Sequence, residues 1–426
     1  MGNDFLKGDI ILCSFCGKSR KEVKKIITGV NIMNNICNEC VSLCHNILSS
    51  DAEQEKAIKE KLAEEEFYSL PTPHEINYLL DEVIIGQETA KKVLAVAVYN
   101  HYKRISNIRI KDHPTKIKKS NILLVGPTGS GKTLLAQTLS EILDVPFAIA
   151  DATSLTEAGY IGEDVEGMLH RLLYAADGSV SDAERGIVYI DEIDKIASKF
   201  GRHGATRDVS GEGVQQALLK LIEGTIANVP KVRSKMNKET IPMNTNNILF
   251  ICGGAFVGLE EIIQENATNT KKLGFGAIQT KKDKLSIGKL LEKTTSADLL
   301  NYGLIPELVG RIPIIASLHE LSKEILVKIL NEPRDSLVKQ YKKIFKIDNV
   351  DLIFTDEALK EIAKQAIKLK TGARGLRAII EKALLNSMYD IPTYKDIAEV
   401  IVDKNVIEKH TQPLYVYEEE MRCGSE

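Results

Sequence analysis

The sequence predicts an α/β fold: a parallel β-sheet built around a phosphate-binding loop, with a mainly helical C-terminal domain after it and a small zinc-binding module before it. Three observations predict this. Short β-branched runs alternate with helical patterns through the middle of the chain, a complete Gly-x4-Gly-Lys-Thr loop joins one such run to a helix, and two Cys-x2-Cys pairs lie before residue 45. Composition agrees with this. A chain of 426 residues, 43% hydrophobic and 27% charged, is too long for one ordinary core and too apolar to be disordered. Its 56 Lys and Arg against 59 Asp and Glu leave a net charge of −3, which argues against a dedicated nucleic-acid binder. No apolar run approaches the length of a membrane span. The start, Met1 to Leu6, has neither the basic opening and apolar core of a signal peptide nor the Ser or Thr that myristoylation needs at position six. A cytoplasmic protein is expected.

The cysteines come first. Five of the seven lie before residue 45, and in a reducing compartment such a cluster is a metal candidate before it is a disulfide framework. Cys13 and Cys16 form one Cys-x2-Cys pair, Cys37 and Cys40 the other, the pattern of a tetrahedral zinc site in a knuckle or ribbon setting. Four thiolates leave no open position for a reacting water, so one structural Zn²⁺ per chain is expected. A module of residues 1–48 is too small to fold on a core of its own, and the metal supplies the missing free energy. Cys44 and His45 are spare donors. Residues 49–66 are charged and rich in Ala, Glu and Lys, with no face wide enough to bury, and read as a linker.

Residues 67–317 read as the sheet domain, opened by the punctuation Leu70-Pro71-Thr72-Pro73. Short buried strands are expected at 121–125 (NILLV), 187–190 (IVYI) and 247–251 (NILFI). The first runs into Gly126-Pro127-Thr128-Gly129-Ser130-Gly131-Lys132-Thr133 and then a helix. In that context backbone N–H groups curl around phosphate oxygens, and the helix N-terminus adds a favourable dipole. Lys132 is placed to reach the β- and γ-phosphates of ATP, and the Thr133 hydroxyl to ligate Mg²⁺. The second strand ends in Asp191-Glu192. Asp191 fits the magnesium-side carboxylate, and Glu192 is placed to polarise the attacking water. Together the two motifs specify nucleotide hydrolysis. Residues 318–426 read as the C-terminal domain, with amphipathic helices expected at 324–345, 356–369 and 375–388 and a short strand at 350–354.

In this order of modules the chain resembles the ClpX family, the ATPase and unfoldase subunits of the Clp protease. The likeness runs through nearly the whole sequence. It is most specific at Leu70 to Ile76, at Asp208 to Gln216, at Ile251-Cys252-Gly253-Gly254-Ala255-Phe256 and at Gly372-Ala373-Arg374-Gly375-Leu376-Arg377. The zinc module separates it from the otherwise similar HslU-type unfoldases. The resemblance implies an AAA+ P-loop parallel sheet with a helical C-terminal domain, plus a small treble-clef or knuckle-like zinc-binding domain. It also implies a bacterial cytoplasmic homohexamer that hydrolyses ATP to unfold tagged or adaptor-delivered proteins and to feed them into the ClpP peptidase.

The resemblance assigns further residues. Arg311 looks like the arginine finger that reaches a neighbour's γ-phosphate, and Arg374 like a sensor arginine contacting nucleotide from the C-terminal domain. Val83 and Ile84 match the apolar segment that packs on adenine. Gly159-Tyr160-Ile161-Gly162 matches a pore loop that grips the threaded chain, and Arg207-Asp208 belongs to a second. Leu273-Gly274-Phe275 matches the loop that docks on the peptidase, with Leu273 where the family often has Ile. Lys231-Val232-Arg233-Ser234-Lys235 stands where the family often has an Arg-Lys-His loop, basic here but without the histidine.

Two other classes compete. A DNA-handling ATPase with a zinc knuckle is disfavoured by the balanced charge and the Gly-Tyr-Ile-Gly loop. A zinc adaptor whose ATPase domain only switches is disfavoured by the intact Asp191-Glu192 pair. No Ser-His-Asp or Cys-His arrangement can be placed, so proteolysis is expected to belong to a partner.

Overall fold

The computed structural model describes residues 11–29, 34–45, 70–109, 117–156, 163–198, 211–230, 240–271, 287–394 and 396–417. It divides into two compact units, Met1–Ser69 with Ile105–Pro114, and Leu70–Arg104 with Thr115–Glu426. The linker expected at 49–66 lies outside the described residues.

In the first unit, two short antiparallel strands, β1 (Ile26–Thr28) and β2 (Asn35–Cys37), pair Ile26 with Cys37 and Thr28 with Asn35. A turn at Cys13–Gly17 precedes them, closed by the Gly17 N–H donating to the Cys13 carbonyl at 2.8 Å. A helix starting at residue 38 follows directly. Knuckle, hairpin and helix start together make a treble-clef arrangement. Among the described residues its buried core is Cys13, Val23, Cys37 and Cys40, with Ile26 and Ile36 against it. Three cysteines and a valine are too little apolar surface to hold a fold, so the cysteines must be joined by something stronger.

The second unit follows from strands with no polar face. β3 (Ile122–Val125), β5 (Ile187–Asp191) and β6 (Leu249–Gly254) are buried almost throughout, which only a sheet covered on both sides allows. They occupy the middle of a five-stranded sheet in the order β7-β3-β6-β5-β4, every pair parallel. β4 (Phe147–Asp151) alternates buried with exposed or half-buried residues, as suits an edge, and β7 (Ile314–Ser317) closes the other side. Alternate residues Leu123, Val125, Val188, Ile190, Phe250 and Cys252 enter one core. They meet Met168, Leu169 and Leu172 of the helix Gly167–Ala175 and Val214, Leu218 and Leu221 of the helix Gly211–Glu223 there. The helices of this part include α1 (Pro73–Val83), α2 (Glu88–Arg109), α3 (Lys132–Ile142), α4 (Gly167–Ala175), α5 (Gly211–Glu223) and α6 (Pro306–Arg311). The Leu-Pro-Thr-Pro punctuation is the start of α1. Thr72 and Glu75 form a reciprocal capping box, and Pro73 takes the first helical position.

Two local expectations differ from the structure. The strand expected at 247–251 begins at Leu249, because Thr245–Asn247 closes as a 3-10 turn capped by the Asn244 side chain. The helix expected over 324–345 is two helices, α7 (Lys323–Asn331) and α8 (Leu337–Ile347). Pro333 separates them. It has no N–H to donate, it disfavours helical backbone at the residue before it, and its carbonyl instead accepts from Ser336 N–H at 3.1 Å. β8 (Asp351–Phe354), α9 (Asp356–Lys368) and α10 (Arg374–Asp390) fall near their expected places. β9 (Ile397–Val402) and β10 (Leu414–Tyr417) extend β8 into a three-stranded sheet. Leu326, Phe345, Ile362, Leu376, Ile380 and Val400 lie in one core of this C-terminal part.

Gly253 shows how tightly the central strands are packed. A Cβ there would lie 2.1 Å from the Tyr189 hydroxyl and 2.8 Å from its ring carbon Cζ, and Tyr189 is fully buried on β5. Gly253→Ala is expected to destabilise this unit by about 1–3 kcal/mol in urea or thermal unfolding. In Gly253→Ala/Tyr189→Phe, which removes the nearest atom, the loss should be less than the sum of the two single losses. Additive losses would mean that the two side chains do not compete for this space.

Candidate nucleotide and zinc sites

At the zinc site the ligand atoms are already gathered. The four Sγ atoms of Cys13, Cys16, Cys37 and Cys40 lie within 4.8 Å of one another. Cys13 and Cys40 are 3.9 Å apart and Cys16 and Cys37 3.7 Å, whereas a zinc tetrahedron with bonds of about 2.3 Å has edges of about 3.8 Å. Backbone N–H groups point at the sulfurs, Cys37 N–H at Cys13 Sγ (3.2 Å) and Cys40 N–H at Cys37 Sγ (3.4 Å). Burial works against ionising Cys13, yet N–H groups of Cys16, Phe15 and Cys37 outweigh it and bring its pKa down to about 6. The set fits Zn²⁺. Cys44 falls outside it.

The phosphate loop sits between the end of β3 and α3. Gly131 caps α3 in the left-handed conformation and has no side chain to cap the first turn, so among the described residues N–H groups there are open to an anion. The Ser130 hydroxyl is buried and has no hydrogen-bond partner among the described residues, so it suits a polar ligand atom. Lys132 is buried and its Nζ donates to the loop carbonyls of Gly126 (2.7 Å) and Pro127 (3.0 Å). Burial lowers its pKa, while Asp191, Asp194 and Glu192 oppose that and Arg374 adds to it. Those residues therefore share one electrostatic neighbourhood. The loop fits a nucleotide polyphosphate.

The acidic strand end comes alongside. Thr133 Oγ1 donates to Asp191 Oδ2 at 3.3 Å, joining the two motifs across 58 residues. The Tyr189 hydroxyl donates to Asp191 Oδ1 at 3.2 Å from the same face of β5, and Glu192 N–H donates to that oxygen at 2.9 Å. Glu192 itself is exposed and has φ +55°, a left-handed conformation that costs a non-glycine residue about 1–3 kcal/mol. The turn so formed leads into the 3-10 helix Ile193–Ile196. There buried Asp194 accepts from Ala255 N–H (3.1 Å) and so ties this turn to the end of β6.

The C-terminal part forms the other wall. Gly129 has φ +77°, and a Cβ on it would lie 2.5 Å from the Thr371 carbonyl oxygen. Ala373 N–H donates to the Gly129 carbonyl (3.2 Å), so Arg374, the first residue of α10, starts one residue beyond that contact. Arg374 is exposed and makes no hydrogen bond or ion pair with a described residue. Ile84 is buried and Val83 half-buried at the end of α1. Lys91 pins this corner, donating to the Ile84 carbonyl (3.3 Å) and to Glu88 (3.1 Å) and pairing with Asp81.

Arg311 is elsewhere. Its carbonyl accepts from Asn121, the residue before β3, at 2.8 Å. The phosphate loop begins at the far end of that strand, five residues on, or roughly 16 Å. Arg311 therefore stands at the opposite edge of the sheet from its own loop. Tyr160, Ile161, Arg207, Asp208, Leu273, Gly274, Phe275 and the segment 231–235 lie outside the described residues.

Three side chains escaped the sequence reading. Gln87, buried, donates to the His319 carbonyl (2.9 Å) and the Ser130 carbonyl (3.4 Å) and accepts from His319 N–H (2.8 Å). Tyr189 was visible only as the one polar-tipped residue in an aliphatic strand. Asn121 is buried at the strand start, where an amide must be bridging something, though nothing local says what.

A treble clef with four gathered cysteines and a parallel phosphate-loop sheet with a helical C-terminal part define an AAA-type ATPase carrying a four-cysteine zinc finger. Family models agree region by region. Residues 11–50 match the ClpX C4-type zinc finger, 117–315 the AAA domain (Cdc48 subfamily), and 321–403 the C-terminal, D2-small domain of ClpB protein. The chain is 50% identical over 402 residues to the ATP-dependent Clp protease ATP-binding subunit ClpX of Treponema denticola, covering 94% of each chain. It belongs to the ClpX family. It is an AAA+ ATPase that binds ATP and carries a Zn²⁺ finger. Among the described residues no helix is long and apolar enough to cross a membrane.

Cys37→Ser is expected to bring bound zinc from one per chain to near zero by metal analysis and to unfold the zinc finger. Basal ATPase activity should survive, because every residue of the nucleotide site lies in the other unit. One zinc still bound per chain would remove Cys37 from the ligand set.

Proposed function

We propose that this chain is an ATP-driven protein unfoldase, working as a bacterial cytoplasmic homohexamer that threads tagged or adaptor-delivered proteins through its pore into the ClpP peptidase. Its working parts are a zinc-binding domain (residues 1–48), a charged linker (49–66), a large ATPase domain (67–317) and a small domain (318–426). One observation supports the ring more than any other: Arg311 is held at the sheet edge away from its own phosphate loop. A guanidinium placed there can act on a phosphate only if a neighbouring subunit supplies it, and a neighbour-to-neighbour relation whose rotation closes makes a ring.

Within each site, Gly126 to Thr133 cradle the phosphates, and Val83 and Ile84 pack on adenine. Mg²⁺, held by Thr133 and Asp191, would supply charge neutralisation at the phosphate oxygens. Glu192 is exposed at a left-handed turn, and among the described residues its carboxylate accepts no hydrogen bond, as a water-polarising base requires. Arg374, one residue past the Gly129 contact, reports the nucleotide to the C-terminal domain. The Tyr160-Ile161 loop grips the threaded chain, assisted by Arg207-Asp208, and Leu273-Gly274-Phe275 docks on ClpP. The full reading is tested by degradation of a tagged, stably folded reporter with ATP, with and without purified ClpP. Loss of the reporter is expected only with both present.

Glu192→Gln should leave ATP binding near normal and lower turnover by about two orders of magnitude or more, because the base is lost while the phosphate contacts stay. Turnover within a few-fold of wild type would take Glu192 out of that role. Tyr160→Ala separates motor from switch. ATP hydrolysis should persist while ATP consumed per stable substrate molecule unfolded rises several-fold, with unstructured substrates less affected. An unchanged ratio would make Tyr160 an ordinary loop residue.

A further inference from the structure

The side chain of Arg311 is not free in the isolated subunit. Its Nε donates to Glu223 Oε1 at 2.7 Å, and its Nη2 lies 2.6 Å from the same oxygen in an ion pair. Glu223 is the last residue of α5 and Arg311 the last of α6, so the pair joins two helix C-termini that pack together. Beneath it lies a buried amide. Asn121 Nδ2 donates to the Arg311 carbonyl (2.8 Å) and to the Ile222 carbonyl (3.4 Å), and its Oδ1 accepts from Phe250 N–H on β6 (3.4 Å). One side chain, 1% exposed, therefore fixes the backbone of Arg311, the residue before Glu223, and the central strand β6.

A half-exposed ion pair is ordinarily worth little to stability. This one has a geometry suited to another purpose. A guanidinium carries five N–H donors, and Glu223 occupies only its Nε edge. The side chain is half-exposed, and among the described residues no other acceptor takes its Nη1 donors. An arginine held by one edge is ordered in advance and still able to grip a phosphate with the other, so less side-chain freedom is lost when it engages.

We propose that Glu223 is a positioning residue that presents Arg311 to the nucleotide of the adjacent subunit. The inference rests on the reading of Arg311 as a finger acting across a subunit boundary. Glu223 touches neither nucleotide nor metal; it acts through Arg311 alone.

The test uses the full-length assembled enzyme and steady-state ATPase measured over a range of ATP concentrations. Glu223→Ala is expected to lower kcat about ten-fold while the KM for ATP stays within about two-fold, since each subunit's own pocket is intact. Glu223→Gln, which keeps the accepting oxygen, should recover most of that rate. The double variant Glu223→Ala/Arg311→Ala should be no slower than Arg311→Ala. Mixing distinguishes presentation from damage to the fold. Glu223→Ala subunits mixed with Glu192→Gln subunits should hydrolyse faster than the two measured apart, because a Glu192→Gln neighbour still offers a well-held Arg311. No gain on mixing would overturn the inference. A collapse in Arg311→Ala with a normal rate in Glu223→Ala would sink the role of Glu223 and leave the finger standing. A normal rate in Arg311→Ala would remove the finger itself.

Discussion

The contact on which the nucleotide site depends is backbone against backbone: Gly129 of the phosphate loop on Thr371, Gly372 and Ala373. No side chain fits between them, since a Cβ on Gly129 would meet the Thr371 oxygen at 2.5 Å and one on Gly372 would meet the Gly129 oxygen at 3.0 Å. The Ala373 N–H then bonds the Gly129 carbonyl. The loop that holds phosphate is thus also the seat of the C-terminal helical part. Other contacts repeat this boundary. Gly126 packs on Leu318, Gln87 ties the start of α2 to His319, and Gly86 lies against Ile325 of α7. A movement of the phosphate loop is therefore expected to shift the C-terminal part, and the tightly packed boundary favours discrete positions over gradual ones.

Around that seat the chemistry is arranged by the sheet. Parallel strands deliver their C-terminal ends to one edge, and there the phosphate loop, Asp191 and the end of β6 converge. Three donors, from Thr133, Tyr189 and the Glu192 backbone, hold the Asp191 carboxylate. The opposite edge carries Asn121, Arg311 and Glu223. The same short strand, β3, therefore separates the phosphate loop from Arg311, and on the proposed reading of Arg311 hydrolysis is divided between copies by the length of one strand.

What could be read from the sequence was what is local. The phosphate loop, the acidic strand end and the cysteine pairs are short patterns whose chemistry fixes their geometry, and the buried strands announce themselves by having no polar face. The split at Pro333 was in principle readable too, but the apolar periodicity of α7 carries on in phase into α8 and masks the break. β9 and β10 escape the sequence because β9 is short and follows a run of amphipathic helices, while β10 is mostly exposed and has no buried face to mark it. The long-range polar contacts were out of reach. Gln87 and His319 are 232 residues apart, and Asn121 and Arg311 are 190 apart. A buried amide announces that it needs partners but not which ones.

The coupling of the phosphate loop to the C-terminal part is tested most directly by amide hydrogen exchange, followed peptide by peptide, with and without a slowly hydrolysed ATP analogue. Protection is expected to rise together in residues 126–133 and 371–376, and in Lys132→Ala, where the phosphates lose their grip, both increases should vanish together. Protection confined to 126–133, with 371–376 exchanging at its nucleotide-free rate, would mean that the C-terminal part is a bystander and that the contact at Gly129 transmits nothing.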